Sequence, residues 1–160
     1  IWFKSAFCLF LSLFFDTNLI IFDLDNTLVF PETCVSINET VEFVRQIAKV
    51  RQCVILTNSK SATKRGRDIQ KLFNCEIFLS DNQKPFSSLF RELKDRYSIN
   101  SGRTVIVGDR IFSDILFGNL NGLKTILVEP MTKEESFAEA SKRTLENLSV
   151  QILRFFLKNR

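Results

Sequence analysis

The chain has 160 residues, enough for one domain with a true core, and its 45% apolar and 25% charged side chains are ordinary for a globular protein. The net charge of +4, from 22 basic and 18 acidic side chains, is compatible with anionic partners but too small to demand them. There is no histidine, which excludes a Ser-His-Asp triad, a Cys-His pair and His-ligated zinc, and Cys8, Cys34, Cys53 and Cys75 form no CxxC pair that would suggest a structural zinc site.

The cysteine pattern fits a reducing compartment, and the 17 phenylalanines read mainly as core filling. A single domain is expected, divided into residues 1–17, 18–130 and 131–160. The first part carries the apolar run AFCLFLSLFF at residues 6–15. It is shorter than the ~20 residues a bilayer span needs, so no transmembrane span is expected. No small-residue cleavage site of a signal peptide is visible. The run reads as a helix packed on the rest of the fold or lying in a membrane interface, with Trp2, Phe3 and Lys4 at its edge.

From residue 19 onward strand and helix signals alternate. LIIFD (19–23) is a buried strand. Ser36-Ile37-Asn38-Glu39 has the form of a capping box, and Val41, Val44, Ile47 and Ala48 continue a helix to about Val50. CVILT (53–57) is a second strand, and a basic helix follows from Ala62 to Phe73. EIFLS (76–80) is a third strand. Pro85 suits the first turn of a helix ending near Tyr97. TVIVG (104–108) is a fourth strand, Ile111 to Leu120 a helix stopped by Asn121-Gly122, and KTILV (124–128) a fifth strand ended by Pro130. Residues 133–158 look helical. Such alternation predicts an α/β fold of three layers, a five-stranded parallel sheet with helices on both faces. Ligands of such sheets sit at the carboxyl ends of the strands.

The polar residues of interest directly follow their strands. Asp23 and Asp25 close the first, two carboxylates that can converge on one hard divalent cation. Thr57-Asn58-Ser59 closes the second, a hydroxyl followed by backbone N–H groups at a helix start, which suits phosphate. Lys84 follows the third, a lone cation able to neutralise a transferring group. Asp109 and Asp114 follow the fourth. Acids, a lysine and a hydroxyl around one pocket suit phosphoryl transfer, where positioning and charge neutralisation dominate.

IIFDLDNTLV, ILTNS, KPF and VGDRIFSD, in that order, resemble the four motifs of the haloacid dehalogenase (HAD) superfamily, over residues 19–114. The resemblance implies a three-layer Rossmann-like HAD fold and a magnesium-dependent phosphatase. It implies Asp23 as the nucleophile that forms an aspartyl-phosphate. Asp25 would protonate the leaving group and then activate water. Thr57 and Asn58 would bind the substrate phosphate, and Lys84 would stabilise the charge shared by nucleophile and phosphate. Magnesium would be bound by Asp23, Asp109 and the Asp25 carbonyl, with Asp114 ligating or orienting from behind. Arg110 is a candidate for a second phosphate oxygen or a surface salt bridge. Thr27 can serve turn hydrogen bonds and Ser113 a local helix cap.

Thr27 and Thr57 are 30 positions apart and Thr57 and Lys84 are 27 apart, which leaves no room for a cap domain at either family insertion point. An open site suits large or anchored substrates. VGDRIFSDILFGNLNGLKTILVEP and the later RTLENLSVQIL are similar to the capless subfamily IIIA phosphatases that act on phosphatidylglycerophosphate. Two departures are Ser113 in place of threonine and Leu120 in place of arginine. The resemblance implies release of the terminal phosphate to give phosphatidylglycerol, a step of phospholipid biosynthesis. The expected partner is an anionic phospholipid at a membrane surface. The expected location is the cytoplasm or an organelle interior, plastid stroma or mitochondrial matrix, with peripheral membrane association. Lys60, Lys64, Arg65, Arg67 and Lys71 form a basic cluster that would favour an anionic bilayer or be a solvated helix face. The alternative is a HAD phosphatase for a phosphoprotein or a polynucleotide 3′-phosphate. Nucleic acid is disfavoured because residues 60–71 lack the aromatic side chains that stack on bases.

Overall fold

The computed structural model describes residues 16–132. The expected helices at 1–15 and from Lys133 onward lie outside the described residues. The strands are β1 (Leu19–Phe22), β2 (Gln52–Leu56), β3 (Glu76–Phe78), β4 (Thr104–Gly108) and β5 (Lys124–Leu127). They form one sheet in the order β3-β2-β1-β4-β5, every pairing parallel. The helices are α1 (Asn38–Ala48), α2 (Ala62–Phe73), α3 (Ser87–Tyr97) and α4 (Leu116–Leu120).

A strand covered on both faces needs apolar side chains at every position, and β1 is buried throughout. Its alternate residues point to opposite cores. Ile20 and Phe22 join Val44 of α1 and Ile69 and Phe73 of α2. Leu19 and Ile21 join Leu89 and Leu93 of α3 and Phe117 of α4. The three-layer α/β architecture expected from the alternating pattern is therefore present.

The register positions the site. Phe22 pairs with Ile55 on one side and Val107 on the other, so the residues that follow these strands emerge along one edge. The chain runs outward from β1 through β2 to β3, then returns to place β4 on the other flank of β1. This reversal opens a crevice above the carboxyl ends of β1 and β4.

Several local expectations are corrected. The Ser36 hydroxyl does not cap α1; it donates to the Leu28 carbonyl at 2.5 Å, and the helix starts without a side-chain cap. A serine hydroxyl can bond nearby backbone carbonyls as readily as it caps a helix, and here it is spent on the preceding turn. Pro85 lies ahead of α3 rather than in its first turn, and the Lys84–Pro85 bond is cis. The helix expected over 111–120 has two parts. Ile111–Ile115 form a wide turn in which the Ile115 N–H reaches the Arg110 carbonyl at 3.2 Å, and α4 follows. Gly118 lets α4 lie close on the sheet, since a Cβ there would stand 2.3 Å from Thr125 Cγ2.

Between β1 and β2 the chain forms a turn and α1; between β2 and Lys84 it forms α2 and β3. No helix among the described residues is long and apolar enough to cross a membrane.

Candidate active site

Asp23 leaves β1 with its backbone N–H still bonded to Val107 of β4 at 2.8 Å. This bond keeps the Asp23 backbone in line with the sheet, and its carboxylate is held by Lys84. Asp109, just beyond β4, is 3% exposed, and Asp114 on the wide turn is fully buried. One carboxylate oxygen from each of Asp23, Asp109 and Asp114 lies within 4.8 Å of the other two. The Thr27 hydroxyl reaches Asp109 Oδ1 at 3.5 Å.

Lys84 enters the same cluster from the third loop. Its Nζ is 2.6 Å from Asp23 Oδ1, 2.5 Å from Asp114 Oδ1 and 3.0 Å from the Leu56 carbonyl. Three donors thus meet three acceptors. Burial works to lower the Lys84 pKa, but Asp114 and Asp23 outweigh it and hold the ammonium above its usual range. For Asp23, burial is the largest influence and raises the pKa. Lys84 opposes it, Asp114 and Asp109 add to it, and the carboxyl is pushed up to about 7.

Three carboxylates meet around one lysine, an acid-rich set of oxygen donors. Such a cluster of hard oxygen donors fits a divalent cation.

Asp114 is held by its surroundings. Its second oxygen accepts the Arg110 N–H at 3.1 Å. Gly108 makes room for it, because a Cβ there would lie 2.3 Å from Asp114 Cγ.

The Asp25 carboxylate does not join the acidic cluster, contrary to the expectation that both acids of the first motif converge through their side chains. Arg65 of α2 reaches Asp25 Oδ1 at 2.7 Å and Oδ2 at 2.8 Å, and the Glu32 N–H donates to Oδ1 at 2.8 Å. Arg65 thereby leaves the basic cluster in which its position in the chain placed it. Lys60, Lys64, Arg67 and Lys71 remain exposed, whereas Arg65 is 8% exposed. A signal for this exists in the helical spacing. Arg65 falls on the stripe of Ala62, Ile69 and Phe73, where a charge needs a partner.

The Asn58 side chain likewise has a use that its place in the second motif does not reveal. Its Oδ1 accepts the Lys84 N–H at 2.9 Å and its Nδ2 donates to the Lys84 carbonyl at 3.0 Å. It therefore clamps the third loop to the second. The Thr57 hydroxyl accepts the Ser59 N–H at 3.0 Å, which leaves its own hydrogen to donate.

A cavity of about 500 Å³ opens over these residues. Asp23, Asp25, Thr57, Asn58, Lys84 and Asp109 line its floor side, and Arg110 and Ser113 also border it. Asn26, Pro31, Glu32, Ser59 and Phe112, the last 44% exposed, complete its lining.

In this parallel sheet, and in the four motifs that meet at its carboxyl edge, the chain resembles HAD-type proteins. A family model described as HAD-hydrolase-like matches residues 82–148. The chain is 29% identical over 136 residues to Phosphatidylglycerophosphate phosphatase 1, chloroplastic/mitochondrial, of Arabidopsis thaliana. That match covers 79% of this chain but only 39% of the plant protein. It is 26% identical over 140 residues to the Probable phosphatase YqeG of Bacillus subtilis, covering 84% of this chain and 77% of that one. In fold it resembles the magnesium-bound structure of YfnB, named as a putative HAD-hydrolase of Bacillus subtilis. The TM-score is 0.63 at 17% identity, over 76% of this chain and 91% of that one.

Proposed function

We propose that this chain is a magnesium-dependent phosphomonoester hydrolase that acts through an aspartyl-phosphate on Asp23, with phosphatidylglycerophosphate as its substrate. The observation that carries the reading is the buried cluster in which Lys84 bridges Asp23 and Asp114 beside Asp109. Asp23, Asp109 and Asp114 would hold the cation, with the Asp25 carbonyl as a further ligand. When bound, magnesium supplies positive charge against the phosphate oxygens.

In the first half of the reaction an Asp23 carboxylate oxygen forms a bond to phosphorus. The ester P–O bond breaks, its electron pair goes to the leaving oxygen, and that oxygen takes the proton of the Asp25 carboxylic acid. In the second half a water oxygen bonds to phosphorus and gives a proton to the Asp25 carboxylate. The bond between phosphorus and Asp23 breaks, its electron pair returns to Asp23, and inorganic phosphate departs. Lys84 balances charge at Asp23 in both halves. The Thr57 hydroxyl donates to a phosphate oxygen, and Arg110 at the cavity wall offers a second cation.

The lipid substrate is supported by the plant relative's name and by the exposed basic and aromatic side chains of the surface. Exposed Lys60, Lys64, Arg67 and Lys71 suit an anionic bilayer, each contributing ~1 kcal/mol near its surface. Exposed Phe112 at the cavity wall, and Phe86 beside the Lys84 loop, suit the acyl region. On this reading the protein works at a membrane surface.

The test is phosphate release with magnesium from phosphatidylglycerophosphate in vesicles, a phosphopeptide, a 3′-phosphorylated oligonucleotide and small sugar phosphates. The lipid should be turned over fastest. Preference for another arm overturns the substrate, and inertness on all of them overturns the phosphatase.

A further inference from the structure

We infer that Arg65 is a positioning residue for the acid–base step, aiming the Asp25 carboxyl into the cavity and tying the turn at residues 32–33 to α2. The inference rests on the phosphatase reading above. Arg65 spends both terminal nitrogens on this turn: Nη2 on the two Asp25 oxygens, at 2.7 Å and 2.8 Å, and Nη1 on the Thr33 carbonyl at 2.5 Å. The Arg65 side chain is 9% exposed and that of Asp25 is 22% exposed, so the pair is shielded on the arginine side and open on the carboxylate side. Both Asp25 and Glu32 line the cavity.

The distribution of bonds over the two oxygens gives the arrangement a direction. Oδ1 accepts from both Arg65 and the Glu32 N–H, whereas Oδ2 accepts from Arg65 alone. Oδ2 is therefore the oxygen with capacity left to carry the proton passed to the leaving group. The planar guanidinium reaches the carboxylate and the carbonyl from two separate nitrogens in a fixed fork, whereas a lysine offers a single nitrogen on a flexible stem. Without it, Asp25 keeps its chemistry but loses its aim.

The experiment measures single-turnover phosphorylation of the full chain with magnesium on two esters. One is phosphatidylglycerophosphate in vesicles, an alkyl phosphate whose alkoxide must be protonated to leave; the other is p-nitrophenyl phosphate, whose phenolate leaves unaided. Arg65→Met should slow the alkyl ester by ~100-fold, the size of a general-acid contribution, and the nitrophenyl ester by less than about 3-fold. The loss should fall on the rate and not on KM. In an Asp25→Asn background the same substitution should have no further effect. If Arg65→Met does not fold, Arg65→Lys carries the comparison, with the same selective loss expected. An equal loss on both esters, no loss on either, or an undiminished effect in the Asp25→Asn background overturns the inference alone. A wild-type protein inert on both esters overturns the phosphatase reading and this inference with it.

Discussion

Lys84 Nζ stands 2.6 Å from Asp23 Oδ1, at the centre of a buried cluster in which carboxylates outnumber ammonium groups. Lys84→Met removes the sole positive side chain that touches Asp23 and Asp114 among the described residues. Turnover should fall at least ~100-fold, the usual effect of deleting one preorganised charge partner. Unfolding in denaturant should show a loss of about 3 kcal/mol without magnesium, because the remaining acids are left buried and unpaired. A variant that keeps its activity would remove Lys84 from the mechanism.

Asp23→Asn should abolish turnover while the fold, followed by circular dichroism, is retained. The variant also reports on pH. The Asp23 pKa rises from 3.8 to about 7 on folding, so between these values the folded state binds more protons than the unfolded state. Stability from this group is therefore present below pH 4 and lost as pH rises through 7. In EDTA, wild type should lose stability relative to Asp23→Asn across that window, by an amount of order a few kcal/mol. Magnesium should restore the wild type above pH 7 and do little for the variant. A stability gap constant from pH 4 to pH 8 would contradict this.

Gly108 is the one glycine at which an added methyl group would meet the Asp114 carboxylate directly. A Cβ there would be 2.3 Å from Asp114 Cγ and 2.4 Å from its Oδ2. Gly108→Ala should cost about 1–3 kcal/mol by overpacking and should raise the magnesium concentration needed for half-maximal activity. Thermal melting and a magnesium titration measure the two effects.

Gly66 offers the opposite case. It lies inside α2, and an added Cβ would meet nothing within 4 Å. Gly66→Ala should stabilise the protein by about 0.5–1 kcal/mol through the lower entropy of the unfolded chain and better helix propensity. The melting temperature should rise. A fall would mean that α2 needs the flexibility of glycine beside Arg65.

The architecture was legible from the apolar runs because strands buried on both faces have no freedom to be anything else. LIIF and TVIVG are buried at every position, and the polar residues that end them could be read directly as site candidates. The meeting of Asp23, Asp109, Asp114 and Lys84 followed from their standing in the segments beyond β1, β4 and β3, which open on one edge of the sheet. What was not legible depends on which loop meets which. Arg65 looked like one more exposed basic residue until α2 was laid against the turn after β1. Asn58 looked like a phosphate ligand, yet its amide faces the Lys84 backbone. Ser36 shows the limit of local motifs, since a carbonyl eight residues earlier in the chain captured its hydroxyl.

The Asn58–Lys84 clamp couples two loops of the cleft. Lys84 is held twice, by Asn58 at its backbone and by Asp23 and Asp114 at its ammonium, so a change in either loop is felt in the other. The turn at Glu32 and Thr33 is held through its backbone instead, by Asp25 and by Arg65. On the proposed phosphatase reading, the side chains of Pro31 and Glu32 are therefore the place to redesign substrate preference, because their replacement leaves both sets of bonds intact.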